Sequence, residues 1–124
     1  NGPLVEVLQY ELRDAGGGGR TFVRGVKDYV RHHTTSARRS PSDHVLVYDE
    51  AQRAYDAAMV ASKQPDMAQT ARSEPELFVE FAERIPEWCV VLGLIGGGQE
   101  IHTGEEAGTV QWADAIGASP QGAD

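Results

Sequence analysis

Sulfur and positive charge are both scarce in this chain. Its 124 residues include one cysteine, Cys89, so no internal disulfide can form. Cys89 stands inside an apolar run, where it reads as a small buried hydrophobe, and a cytoplasmic setting is expected. No apolar stretch approaches the roughly 18 residues of a membrane span, and the start lacks a charged-then-apolar signal pattern. A membrane partner is not expected. The four histidines, His32, His33, His44 and His102, have no cysteine partners and miss structural zinc spacings, so they read as exposed or strand-start residues. No Gly-x-Ser-x-Gly elbow occurs, which argues against a serine hydrolase. Eleven Lys and Arg face nineteen Asp and Glu, for a net charge of −8, so this is not a protein that coats nucleic acid with its whole surface. Beyond Arg84 there is no Lys or Arg at all. Six of the eleven lie between Arg20 and Arg39 with Asp28 as the single acid, leaving that window at +5 and the remainder at −13.

A phosphate-binding loop is also lacking. Gly19-Arg20-Thr21 resembles the end of one, but no Gly stands at position 14, Arg20 replaces the lysine, and a helical pattern precedes the glycines where a strand is required. What is present is a hydrophobic fraction of 40% and a charged fraction of 24%, ordinary for a folded domain. The organising stretch runs from His44 to Gln52. Val45 to Tyr48 has the apolar, β-branched character of a buried parallel strand, and Asp49 and Glu50 end it at once. Open α/β sheets place their ligands at such carboxyl ends. A hydrophobic strand closing in Asp-Glu is the Walker B arrangement of P-loop NTPases, in which the Asp holds Mg²⁺ and the Glu polarises the attacking water. The competing reading is a strand followed by an acidic first helical turn, favoured by the helix dipole. A glycosidase pair is disfavoured, because neighbouring residues at a strand end point apart.

A second apolar run, Trp88 to Ile95, reads as another fully buried strand and empties into Gly96-Gly97-Gly98-Gln99-Glu100-Ile101. Val47-Tyr48-Asp49-Glu50-Ala51-Gln52-Arg53, Ser73-Glu74-Pro75, Leu94 to Ile101, Gly104-Glu105 and Trp112, in this order, resemble the Schlafen group 3-like DNA/RNA helicase domain. That family is a bacterial branch of P-loop ATPases related to superfamily 1 helicases. The resemblance spans Asn1 to about Trp112. It implies a partial three-layer P-loop sandwich, with parallel strands near 44–48 and 89–95 flanked by helices and the phosphate-loop strand lying upstream of Asn1 on the far side of the second strand. It implies Asp49 as the Mg²⁺ ligand, Glu50 as the catalytic carboxylate that polarises the attacking water, and Gln99 as the motif III glutamine that senses the γ-phosphate. Gln52, Gly97 and Gly98 are placed beside ATP. Three glycines stand where superfamily 1 helicases usually have Gly-Asp before this Gln. ATP and Mg²⁺ are the cofactors so implied, with DNA or RNA as partner of the complete protein. The alternative is a P-loop-like binding or scaffold module without catalysis.

Along the chain, Gly2-Pro3 starts a helix whose apolar stripe, Leu4, Val5, Val7, Leu8 and Leu12, would cover a sheet face before the glycines from Gly16. Phe22, Val23, Val26, Tyr29 and Val30 recur with helical spacing, and Arg20, Arg24, Lys27 and Arg31 fall on the other side. This basic face reads either as solvated or, with Arg38, Arg39 and the more distant Arg53, as a contact for nucleic-acid phosphates. The absence of interleaved aromatics there speaks against base stacking. A short helix is expected over Ala54–Ala61, and another after Ser73, which caps it, with Pro75 in its first turn and Leu77, Phe78, Phe81 and Ile85 as its buried stripe. Pro86 ends it. A last helix is expected over Glu105–Ile116, so that residues 1–116 form the domain and 117–124 a frayed tail. The chain begins with Asn1 and is shorter than a complete helicase-type ATPase core, so it is expected to be a piece of a longer protein and inactive alone.

Overall fold

Two apolar runs, separated by more than forty residues, meet as parallel strands: β1 (Val45–Tyr48) and β2 (Val90–Gly93). Their register pairs Val45 with Val90, Leu46 with Val91, Val47 with Leu92 and Tyr48 with Gly93. Backbone bonds extend the ladder past β2, because Leu94 N donates to Tyr48 O and Ala51 N to Leu94 O, both at 2.8 Å. The structure is a computed structural model and describes residues 2–16, 23–34, 40–66, 71–96 and 105–120.

Helices pack on one face of this sheet. Between the strands lie α3 (Ala57–Lys63) and α4 (Glu74–Glu83), while α2 (Val26–Thr34) precedes β1 and α5 (Glu105–Ala118) follows β2. The start of α4 is over-determined. Ser73 Oγ accepts from Glu76 N, the Glu76 carboxylate accepts from Ser73 N, and Pro75 supplies a preset φ in the first turn. Leu77, Phe78, Phe81 and Ile85 are buried, as the helical spacing predicts. Each of the first three removes enough apolar surface to contribute about 1.5–3 kcal/mol. Aromatic rings then connect the layers: Tyr29 of α2 stacks on Phe78 at 5.1 Å, Tyr48 of β1 meets Phe78 edge-on at 4.8 Å, and Trp112 of α5 meets Tyr48 at 5.2 Å. Burial also pushes the Tyr29 hydroxyl up to about 12.

Several expectations are corrected. Neither strand is fully buried: Leu46 and Tyr48 face the helices, while Val45, Val47, Val90, Leu92 and Leu94 are exposed, Val47 by 57%. Side chains alternate across a strand, and among the described residues only one face is covered. The described residues form a mixed α/β fold with a two-stranded parallel sheet and helices on one face. Helix α1 (Gly2–Asp14) forms where expected but does not cover the sheet, and Leu4, Val7, Leu8 and Tyr10 remain exposed. It is tied to the chain ahead of α2 by Gln9 Nε2, which donates to Val23 O at 2.7 Å.

Helix α2 begins at Val26 rather than Phe22, which lies outside the described residues. The short helix after Arg53 is displaced to α3 because Asp56 takes the cap, accepting from Met59 N. Helix α5 runs two residues beyond Ile116, so the expected tail is helical through Ala118. His33 is buried against Tyr29 and Phe81 rather than exposed. Cys89 is half-buried, with its thiol pushed up by desolvation. No described helix is long and apolar enough to cross a membrane.

Candidate functional site

At the carboxyl edge of the sheet β1 gives way to a single 3-10 turn, Ala51–Arg53. Asp49 is exposed, and its Oδ1 accepts from Glu50 N at 3.0 Å. Glu50 adopts a left-handed backbone conformation, φ 56° and ψ 46°, an arrangement that costs a residue with a Cβ on the order of 1 kcal/mol. That turn separates the two carboxylates. The Glu50 carboxylate is directed across the sheet edge toward β2, where it accepts from Gln52 Nε2 at 2.5 Å. Gln52 Oε1 in turn accepts from Gly96 N at 3.3 Å. One carboxamide therefore joins the acid after β1 to the backbone after β2. A Cβ at position 96 would stand 3.4 Å from both Glu50 oxygens, an ordinary contact, so the approach does not depend on glycine there. Arg53 Nε lies 3.6 Å from Glu50 Oε2. Both side chains are about half exposed, so this pair contributes little to stability and leaves the carboxylate accessible.

Asp49, Glu50, Gln52 and Arg53 thus lie in and beside one turn at the end of β1. Gly97, Gly98 and Gln99 lie outside the described residues, immediately beyond Gly96. Among the described residues no group of three or more His, Cys, Asp or Glu gathers that could hold a metal by itself. Asp49 as a sole protein ligand fits Mg²⁺, which usually takes one or two carboxylates and completes its shell with water and phosphate oxygens.

Of the basic candidates, Arg53 is in the acidic loop, Arg24, Lys27 and Arg31 lie in another part of the fold, on α2 and just before it, and Arg20, Arg38 and Arg39 lie outside the described residues. Arg24 is 3.8 Å from Asp28 and Arg31 is 3.3 Å from Asp66, so part of that positive surface is already paired. Lys27 is exposed, and its charge is felt by Glu74 of α4.

Three residues behind the loop had no functional role assigned from the sequence, although Glu74 and Trp112 stand within the motifs of the resemblance. Glu74, read from sequence as a first-turn acid, is only 3% exposed, and its Oε2 accepts from Tyr48 Oη at 2.6 Å and from Tyr55 N at 2.9 Å. Burial drives the Glu74 carboxyl above its ordinary 4.5, against the pull of these bonds, and burial beside it drives the Tyr48 hydroxyl up as well. Trp112 Nε1 donates to Ala51 O at 2.8 Å. Gly108 lets α5 lie directly on the loop, since a Cβ there would run into the Gln52 carbonyl. The capping box at Ser73 marked where α4 starts, but no local pattern tells that its first residue faces inward.

A stability measurement tests the raised Glu74 carboxyl. A folded-state pKa above the unfolded one gives stability that is complete below about 4.5 and is lost as pH rises through the raised value. Glu74→Gln removes that dependence. The difference in urea midpoint between the variant and the natural chain is expected to move in the variant's favour from pH 4.5 upward. A difference independent of pH would show that Glu74 titrates alike in both states.

An acidic strand end joined through a glutamine to the segment after the next parallel strand, with helices covering one face, makes this a mixed α/β module. The family model of the Schlafen group 3, DNA/RNA helicase domain matches residues 1–122, and the chain belongs to that family. Neither a curated protein nor a solved structure matches it.

Proposed function

We propose that this chain carries the Walker B and motif III portion of a nucleic-acid-dependent ATPase. The observation that supports this reading most is the link Glu50–Gln52–Gly96, which ties the acidic end of β1 to the segment that leads into Gln99. In this reading Asp49 holds Mg²⁺ on the nucleotide phosphates and Glu50 polarises the attacking water. Gln99 reports the γ-phosphate to the nucleic-acid surface, and Gln52 passes movement between the two. Gly97 and Gly98 let the backbone approach the nucleotide. The phosphate cradle has to come from outside these residues, because no Gly-x-x-x-x-Gly-Lys-Ser/Thr occurs here. The far edge of β2 is consistent with that arrangement, since among the described residues β2 pairs with β1 alone.

The deciding experiment is Mg²⁺-dependent ATP hydrolysis by the full-length protein with and without DNA or RNA. Stimulation by one of them is expected. Arg24→Glu combined with Arg31→Glu should reduce nucleic-acid affinity at least tenfold at low salt, because phosphate contacts are lost and counterion release with them. Hydrolysis that never responds to nucleic acid would remove the nucleic-acid part of the proposal. A full-length protein that neither binds nor hydrolyses ATP would leave a non-catalytic module.

A further inference from the structure

The residues Asp49, Glu50, Gln52 and Arg53 lie within a six-residue span bracketed by Tyr48 and Tyr55. Both brackets converge on one oxygen. Glu74 Oε2 accepts from Tyr48 Oη at 2.6 Å and from Tyr55 N at 2.9 Å, and Glu74 N donates back to Tyr55 O at 2.8 Å. Glu74 is distant in sequence from both, and the capping box fixes the helix end that carries it. We propose that Glu74 is a positioning residue, clamping the two ends of the acidic loop so that Glu50 is held in its left-handed conformation with its carboxylate toward Gln52 and Gly96.

The placement of Glu74 is costly unless it serves such an end. First-turn acids complement the helix dipole equally well from the surface, as exposed Glu76 does two residues on. Putting a carboxyl in the interior carries a desolvation cost that an apolar side chain of similar size would avoid. What the carboxylate provides is two acceptor bonds at once, and neither tyrosine could replace it. The loop also requires restraint. Glu50 is held at positive φ only while its surroundings over-determine it. Two further bonds act on its neighbour, Ala51 N to Leu94 O and Trp112 Nε1 to Ala51 O. These fix the middle of the span, and Glu74 fixes its ends. Released from the clamp, Glu50 relaxes toward commoner backbone angles and its carboxylate turns from Gln52. Asp49, whose bond among the described residues is to its own neighbour's amide, is affected less.

This inference rests on the ATPase reading, and the test separates the two. In the full-length protein, Tyr48→Phe deletes one hydroxyl and keeps the ring in the core. Its kcat for ATP is expected to fall roughly tenfold to a hundredfold, as misplacement of a reacting group does, with KM within about twofold. Added to Glu50→Gln, the same change should lower kcat no further, because both then act on one group. Glu74→Gln keeps a side-chain oxygen that accepts from both Tyr55 N and Tyr48 Oη, and should retain most of the turnover. Without nucleotide, exchange of the Ala51 and Gly96 amide hydrogens should be at least tenfold faster in Tyr48→Phe. If Glu50→Gln abolishes hydrolysis but Tyr48→Phe hydrolyses like the natural protein, the clamp is overturned and the ATPase reading stands. If Glu50→Gln leaves hydrolysis untouched, the ATPase reading falls. The exchange rates then decide the clamp, faster exchange supporting it and unchanged exchange overturning it.

Discussion

Glu50→Gln in the full-length protein is expected to lower ATP turnover by roughly two to four orders of magnitude, the usual loss for a group that handles the proton of an attacking water. The substitution nearly preserves shape, so the contacts of the loop survive it. Gln52 still has an acceptor in the new carboxamide oxygen, and the half-exposed pair with Arg53 was worth little. What disappears is the negative charge that makes the oxygen a base. Nucleotide binding should change only a few-fold, because Mg²⁺ and the phosphate cradle supply most of the contacts with ATP. Asp49→Asn should act differently, raising the Mg²⁺ concentration needed for turnover by removing the proposed ligand. Steady-state hydrolysis across a Mg²⁺ titration, with nucleotide affinity measured on the same samples, separates the two roles. Equal turnover by Glu50→Gln and the natural protein would remove Glu50 from the chemistry.

The second large effect concerns stability and turns on two glycines in one helix. Alanine is normally the better helical residue, by roughly 0.8–1 kcal/mol. At Gly117 nothing lies within 4 Å of an added Cβ, so Gly117→Ala is expected to stabilise the protein, by no more than that amount since the position is near the helix end. At Gly108 the added carbon meets the backbone carbonyl of Gln52, which cannot rotate away as a side chain could. Helix α5 must then lift from the 3-10 turn, straining the Trp112 bond to Ala51 and the packing of Trp112 on Tyr48. Overpacking of this kind typically costs about 1–3 kcal/mol, enough to outweigh the helical preference. Urea unfolding of the two variants should give midpoints on opposite sides of the natural chain. If Gly108→Ala were as stable as Gly117→Ala, α5 would not rest on the loop as described.

Periodicity and motif order disclosed much of this molecule before any coordinates. Strand β1 ends in two acids because apolar character stops at Tyr48 within one residue, a contrast visible in one dimension. Helix α4 is equally local: Ser73, Pro75 and Glu76 mark its start, and Leu77, Phe78 and Phe81 declare its inner face. The family followed from several motifs in one order, now matched over residues 1–122.

Only the tertiary structure decided how those pieces serve each other. That β1 and β2 are neighbours fixes Gln52 against Gly96 across 44 residues of sequence, and no local pattern encodes such a distance. Exposure of Val47 and Leu92 likewise depends on which helices reach the sheet, since an apolar strand reads the same whether one face or two are covered. Glu74 shows the difference most clearly. Its position in a helical first turn was legible, because capping chemistry is local. Its burial, its raised carboxyl and its hold on Tyr48 and Tyr55 arise from packing α4 against the end of β1, and desolvation is a property of the surroundings that a sequence position does not carry.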